Sequence, residues 1–232
     1  MSAKRCVLLF SRSPRREGAV KRMPGRGRLF AFSARRVALA TRALDRVDLI
    51  LAGDGPAPKG TRVLPQRGRG FGERLRNAFE DARAAGYAEI VAVPGDVPGI
   101  SAAHLDAAFR ALETRHTVLG PSPDGGVWLI GLGPGAAALS GFFGSVPWLT
   151  AGVFPALVRQ SPGAAVLDAL LDVDRPSDLA ALASEPRLDP TLAALLRSLR
   201  SGPARSARVR PTLRRRFRPV APARAPPARL AA

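Results

Sequence analysis

Short, unbroken apolar runs alternate along the chain with longer segments whose apolar positions recur at helical spacing. KRCVLLFSR (4–12), DLILAG (48–53), TRVLP (61–65), EIVAV (89–93), HTVLG (116–120) and VWLIGL (127–132) read as strands. EIVAV is nearly all apolar, which suits a parallel strand buried on both faces. Between these runs, 33–47, 71–86, 101–113, 150–160, 175–184 and 189–200 carry helical periodicity. In 71–86, Phe71, Leu75, Ala78, Phe79 and Ala82 share one face, and Gly86 suits the C-terminal cap. Ser33, Ser101 and Thr150 suit N-caps. The segment 13–29, rich in Gly, Pro and Arg, reads as a long loop. Strands alternating with helices predict an α/β fold, with a mostly parallel central sheet and helices on both faces. Residues 1–200 are expected to form one domain.

Composition changes that picture at the two ends. The formal net charge is +18, and hydrophobic residues make up 46 %, enough for a sizeable core. Residues 37–200 nonetheless hold nearly equal numbers of acidic and basic side chains, so the body is not a uniformly basic nucleic-acid binder. The excess lies in 1–36 and in the Arg- and Pro-rich segment 201–232, which has little to bury and reads as a disordered tail. That tail is suited to weak, salt-sensitive, nonspecific nucleic-acid contact. No apolar run is long enough for a membrane span, and the N-terminal run is too short for a secretory signal. The single cysteine, Cys6, lies inside the first strand and has no internal disulfide partner. A cytoplasmic protein is expected.

Candidate chemistry collects at predicted strand ends, where ligands sit in open α/β sheets. Asp96 follows EIVAV in PGDVPGI and is placed either to hold Mg²⁺ against phosphate oxygens or to bond its own backbone in a turn. Asp124 in PDGG has two readings: a hairpin turn, or a carboxylate beside glycines that admit a ligand to the backbone. In LLDVDRPSDL, Asp172 and Asp174 point to the same side if extended, and Asp178 suits a helix start. The basic stretch with Arg12, Lys21 and Arg22 can neutralise a diphosphate or remain a solvated loop. It contains neither GxxxxGK[ST] nor GxGxxG. QRGRGFGERLRNAF places Gly70 before a helix whose amides can face an anion, with Arg74 at its edge.

The ordered set LLFSRSP, VKRMP, QRGRGFGERLRNAF, GDVPGI, LGPSPDGGVWLIGL, VPWLT and LLDVDRPSDL resembles the DUF2064 group, glycosyltransferase-A-like proteins also called selenodomain-associated transferase 1. It covers roughly 5–183. The resemblance implies the nucleotide-diphospho-sugar transferase (GT-A) fold and kinship with enzymes that transfer a glycosyl or nucleotidyl group. It implies Mg²⁺ as cofactor, Asp96 and Asp174 as its ligands, Lys21 as a phosphate contact, and Asp124 as the acidic-Gly-Gly carboxylate that positions sugar or acceptor. Asp96 and Asp124 are thus the expected catalytic residues. Arg12, Lys21, Arg22, Gly70 and Arg74 are the expected phosphate or nucleotide contacts, and the expected partner is a nucleotide or nucleotide-sugar. The chain departs from the family where VKRMP replaces a motif close to VKTRL: Arg22 takes the usual threonine place and Met23 the usual arginine place. Valine stands where GDVPGI usually has cysteine, and Val127 precedes the aromatic Trp128. Two other readings are a catalytically silent protein of the same fold and an anion or nucleic-acid binder acting through its basic ends.

Overall fold

The computed structural model describes residues 3–23, 26–136, 139–186 and 188–200. Pro24, Gly25 and the segment 201–232, read above as a tail, lie outside the described residues. Seven strands form one sheet: β1 (Arg5–Ser11), β2 (Val47–Gly53), β3 (Arg62–Leu64), β4 (Glu89–Pro94), β5 (Thr117–Pro121), β6 (Val127–Leu132) and β7 (Ala165–Val166). Their order across the sheet is β3-β2-β1-β4-β6-β5-β7. Strand β6 runs antiparallel to both neighbours, and the other pairings are parallel. The mostly parallel sheet expected from the apolar runs is present, with one reversed strand inside it.

Eight helices complete the described chain: α1 (Pro14–Val20), α2 (Gly27–Arg42), α3 (Phe71–Ala84), α4 (Ala102–Leu112), α5 (Leu139–Gly144), α6 (Val153–Gln160), α7 (Asp178–Ala183) and α8 (Pro190–Arg200). Alternation along β1 sorts its side chains to two faces. Cys6, Leu8 and Phe10 pack with Leu75, Phe79, Phe143 and Leu157 of α3, α5 and α6. Val7 and Leu9 pack with Val37, Leu105, Phe109 and Leu112 of α2 and α4. Helices therefore cover both faces. Among the described residues, no helix is long and apolar enough to cross a membrane.

A third apolar cluster bears most directly on the site. Met23, Leu29 and Phe30, around the start of α2, pack with Val173, Leu182 of α7, and Leu192 and Leu196 of α8. This cluster ties the segment after β1 to the segment near the chain's far end.

Several local expectations need correction. The segment read as a long loop after β1 holds α1, with Pro14 in its first turn, and the start of α2. Proline is tolerated there because its missing N–H has no helical partner anyway. Ser33 is not an N-cap: α2 begins six residues earlier, because Leu29 and Phe30 are drawn into the third cluster. Ser33 is buried mid-helix, and its hydroxyl donates to the Leu29 carbonyl at 3.1 Å. Thr150 does not cap α6 either. Gly152 is the N-cap, and Thr150 Oγ1 accepts from the Gly152 amide at 3.1 Å in the turn before it. Ser101 does precede α4, and its amide donates to His104 Nδ1 at 3.1 Å.

Candidate metal and phosphate site

Three segments carry the charged groups to the C-terminal ends of β1 and β4. The first is the turn after β4. Val97 and Ile100 are fully buried against the α2–α4 face, which pins the loop and leaves Asp96 at its mouth. Gly95 is required by space: a Cβ there would collide with the Ser11 side chain at the end of β1. The second is the stretch before α7. Val173 is buried in the third cluster, and its amide donates to the Asp96 carbonyl at 3.0 Å. Holding Val173 inward leaves Asp172 and Asp174, one residue to either side, on the opposite side of the extended backbone. Asp178 fixes this stretch further by accepting from the Asp174 amide at 2.8 Å and the Arg175 amide at 2.7 Å.

The third segment is the β5–β6 hairpin. Asp124 Oδ1 accepts from the Gly126 amide at 2.8 Å, so it does serve its own turn. The same turn also delivers its carboxylate to the site. Asp124, Asp172 and Asp174 each present an oxygen within 4.8 Å of the others, as ligands of one cation would. Gly125 makes this placement possible. Its φ is +88°, and a Cβ would strike the Ala151 carbonyl.

Lys21 joins these groups. Its ammonium donates to Asp96, to the Val173 carbonyl at 2.8 Å and to Asp174 at 2.6 Å, which uses all three of its N–H groups. Glu17, one turn earlier on α1, lies 3.8 Å from Lys21 and pairs with Arg12 at 3.2 Å. Burial opposes the charge on Lys21, but attraction to Asp96 and Asp174 and hydrogen bonds to both hold its pKa above the ordinary lysine value. The pKa of Asp172 is raised as well, which for a carboxyl favours the neutral form. Burial first, then repulsion from Asp96, Asp124 and Asp174, pushes its pKa up to about 7.

The donor set fits a hard divalent cation. Glu17, Asp96, Asp124, Asp172 and Asp174 outnumber the two cations, Arg12 and Lys21, that face them. Asp96 Oδ1 is buried without a hydrogen-bond partner. An orphaned buried carboxylate oxygen is costly, and metal coordination is one way to satisfy it.

The remaining expected residues are less concentrated. Arg12 lines a cleft of about 60 Å³ with Ser11, Glu17, Gln66, Phe71 and Asp96. Arg22 is exposed in the turn after α1 with φ of 53°. Met23 is buried, so the residue in the family's usual arginine place serves packing here. Gly70 caps α3 in extended backbone, and a Cβ there would meet nothing within 4 Å. The amide of Arg69 is already taken by Glu73 at 2.8 Å, so one anion donor at this helix start is used internally. Arg74 has its Nε buried without a partner.

One participant, Glu17, escaped the sequence reading. Glu17 is the one acid among the first 36 residues, and its place four residues before Lys21 was the available signal. Asp172 stood out only by alternation with Asp174. His104, by contrast, is a structural group: burial lowers its pKa, and its ring packs edge-on to Trp128 at 5.8 Å.

The profile of the DUF2064 family, described as an uncharacterized protein conserved in bacteria, matches residues 28–150. No curated protein matches. Among solved structures, a proposed nucleotide-diphospho-sugar transferase of Desulfovibrio desulfuricans G20 superposes with a TM-score of 0.71 at 22% identity, over 86% of this chain and 96% of that one. A cytidylyltransferase of Leptospira borgpetersenii gives 0.52 at 13% identity, over 86% and 96%. The 4-diphosphocytidyl-2C-methyl-D-erythritol synthase of Anaerococcus prevotii gives 0.51 at 10%, over 76% and 95%. At these identities the likeness establishes a shared GT-A-like fold and leaves chemistry to the site.

Proposed function

Because the chain belongs to the DUF2064 family and gathers Asp96, Asp124, Asp172 and Asp174 around Lys21, we propose that it is a Mg²⁺-dependent transferase acting on a nucleotide-activated donor. The observation that carries this reading is the acid cluster at the strand ends, with its raised Asp172 and its orphaned Asp96 oxygen. Asp124, Asp172 and Asp174 would hold the cation, with Asp96 beside them. A divalent ion there supplies charge neutralisation to phosphate oxygens as a phosphoryl or diphosphate bond breaks.

The chain's own groups account for the rest. Lys21, released from one of its carboxylates, is placed to pair with a donor phosphate. Glu17 and the Val173 carbonyl hold its ammonium over the site. Arg12 stands at the cleft as a second phosphate partner, and Asp124 borders the space open to an acceptor hydroxyl. The named relatives include both nucleotide-sugar and cytidylyl enzymes. The released product separates the two transfers: pyrophosphate marks nucleotidyl transfer, and a nucleoside diphosphate marks glycosyl transfer.

Calorimetry with Mn²⁺, and a thermal-shift panel of nucleoside triphosphates and nucleotide-sugars with and without Mg²⁺, test the reading. Binding in the wild type, and its loss in Asp96→Ala and Asp174→Ala, is the expected result. A flat panel on folded protein would leave only a silent protein of this fold.

A further inference from the structure

Beyond the polar cleft that holds Arg12, Glu17 and Asp96 lies a second hollow of about 50 Å³. Both are walled by Phe10, Phe71 and Pro94, so the two lie side by side. The second is apolar, with Leu75, Val127, Leu129 and Trp148 completing its lining. It reaches the start of β6 directly after the Asp124-Gly125-Gly126 turn. The Trp148 N–H is spent on the Phe143 carbonyl at 3.1 Å, so the indole offers apolar surface and no donor.

The aromatic wall is built before any ligand arrives. Trp148 stacks on Phe143 at 5.8 Å and tilts against Phe71 at 5.3 Å, while Phe71 meets Phe10 edge-on at 5.5 Å. Gly72 leaves the room: a Cβ there would fall inside the indole. The next residue, Leu149, has φ of 65° and is 79% exposed. Strained backbone with an exposed apolar side chain at the lip of a cleft is a feature of ligand clamps. Two residues on, Ala151 packs against Gly125, so the lip and the Asp124 turn form one unit.

The geometry points to a subsite for the acceptor of the transferase proposed above: a phosphate-bearing molecule with a flat ring or branched hydrocarbon beside its reacting end. The apolar group enters the Phe71–Trp148 slot, and the phosphate lies in the adjacent polar cleft against Arg12. Arg12, Glu17 and Lys21 are absent from the slot's lining, which runs from Phe10 and Pro94 to Val127 directly after the Asp124 turn. A donor whose phosphates face Lys21 therefore leaves the slot to the second substrate. Apolar pockets with a few convergent polar groups at one end are the usual form of small-molecule sites.

Phenyl phosphate and glycerol 3-phosphate, which share the phosphate and differ in the apolar group, provide the test. Each is titrated into the full chain with Mn²⁺ while tryptophan emission is followed. Trp128 is 1% exposed, so a ligand at the slot is read through Trp148. Phenyl phosphate is expected to change the emission and to bind about tenfold more tightly than glycerol 3-phosphate. Val127→Phe, which fills the slot, should erase that preference and keep Mn²⁺ affinity. Trp148→Phe should remove the signal. Equal affinity for the two phosphates, or a preference that survives Val127→Phe, overturns the inference. So does an emission change produced by a nucleoside triphosphate alone that blocks phenyl phosphate, since the slot would then hold the donor's base. Mn²⁺ binding is read separately by calorimetry. Its absence sinks the transferase reading, while the ring preference is still measured without metal.

Discussion

At the scale of single residues, Lys21 and Asp172 show how one cluster raises the pKa of two groups with opposite consequences for charge, keeping the lysine charged and favouring the neutral carboxyl. Lys21 holds Asp96 and Asp174 together with its own positive charge and so competes with a divalent ion for the same oxygens. Lys21→Met should therefore bind Mn²⁺ about tenfold more tightly without nucleotide, yet bind nucleoside triphosphate more weakly. Calorimetry with each ligand alone reads both halves of this crossed effect. Asp172 carries a pKa raised to about 7, against about 4 in an unfolded chain. Between those values the folded state binds the extra proton, so folded stability is highest below this window and falls as pH rises through it. The metal-free protein should melt lower at pH 8 than at pH 5.5, and Mg²⁺ should restore more stability at pH 8. In Asp172→Asn the pH slope over that range should flatten. Alternation in DVD was enough to put Asp172 beside Asp174. Its elevated pKa depends on Asp96 and Asp124, which no local pattern connects to it.

Among elements, the β5–β6 hairpin does two tasks with one turn. It reverses the chain into the single antiparallel strand and carries Asp124 to the acids after β7. The Asp-Gly-Gly sequence was legible both as a hairpin turn and as a ligand-facing segment; the turn is present, and it sets an Asp124 oxygen within 4.8 Å of oxygens of Asp172 and Asp174. Gly125→Ala would force an alanine into φ of +88° against the Ala151 carbonyl. A loss on the order of 2 kcal/mol in stability is expected from the backbone strain alone. Mn²⁺ affinity should fall with it, since Asp124 would be displaced. Chemical denaturation and calorimetry on the same variant check the pair. The α1–α2 region was less legible, because glycine, proline and arginine in 13–29 mask the short α1, which packs on α2, and the start of α2, where Leu29 and Phe30 join the third cluster.

For the molecule as a whole, the third apolar cluster explains how a site assembled from distant segments stays assembled. Leu192 and Leu196 of α8 back the cluster that holds Val173 and the start of α2. Leu192→Ala should cost about 2–4 kcal/mol in stability. Below the melting transition it should also weaken Mn²⁺ binding, because Val173 would lose its seat between Asp172 and Asp174. Mn²⁺ affinity equal to wild type in the folded variant would show that the site stands without this support. The apolar runs by themselves determined six of the seven described strands, all but the two-residue β7, and helical periodicity determined most of the helices, since both depend on which side of a local element meets the core. The sequence also marked Asp96, Asp124, Asp174 and Lys21, because acids at strand ends and a lysine after the first strand are local features. Only the tertiary structure decided that Lys21 bonds acids 75 and 153 positions away, that Glu17 and Asp172 join them, and that β6 runs backwards. Those outcomes depend on which loops the packed core brings to one edge of the sheet, and side-chain periodicity carries no record of that.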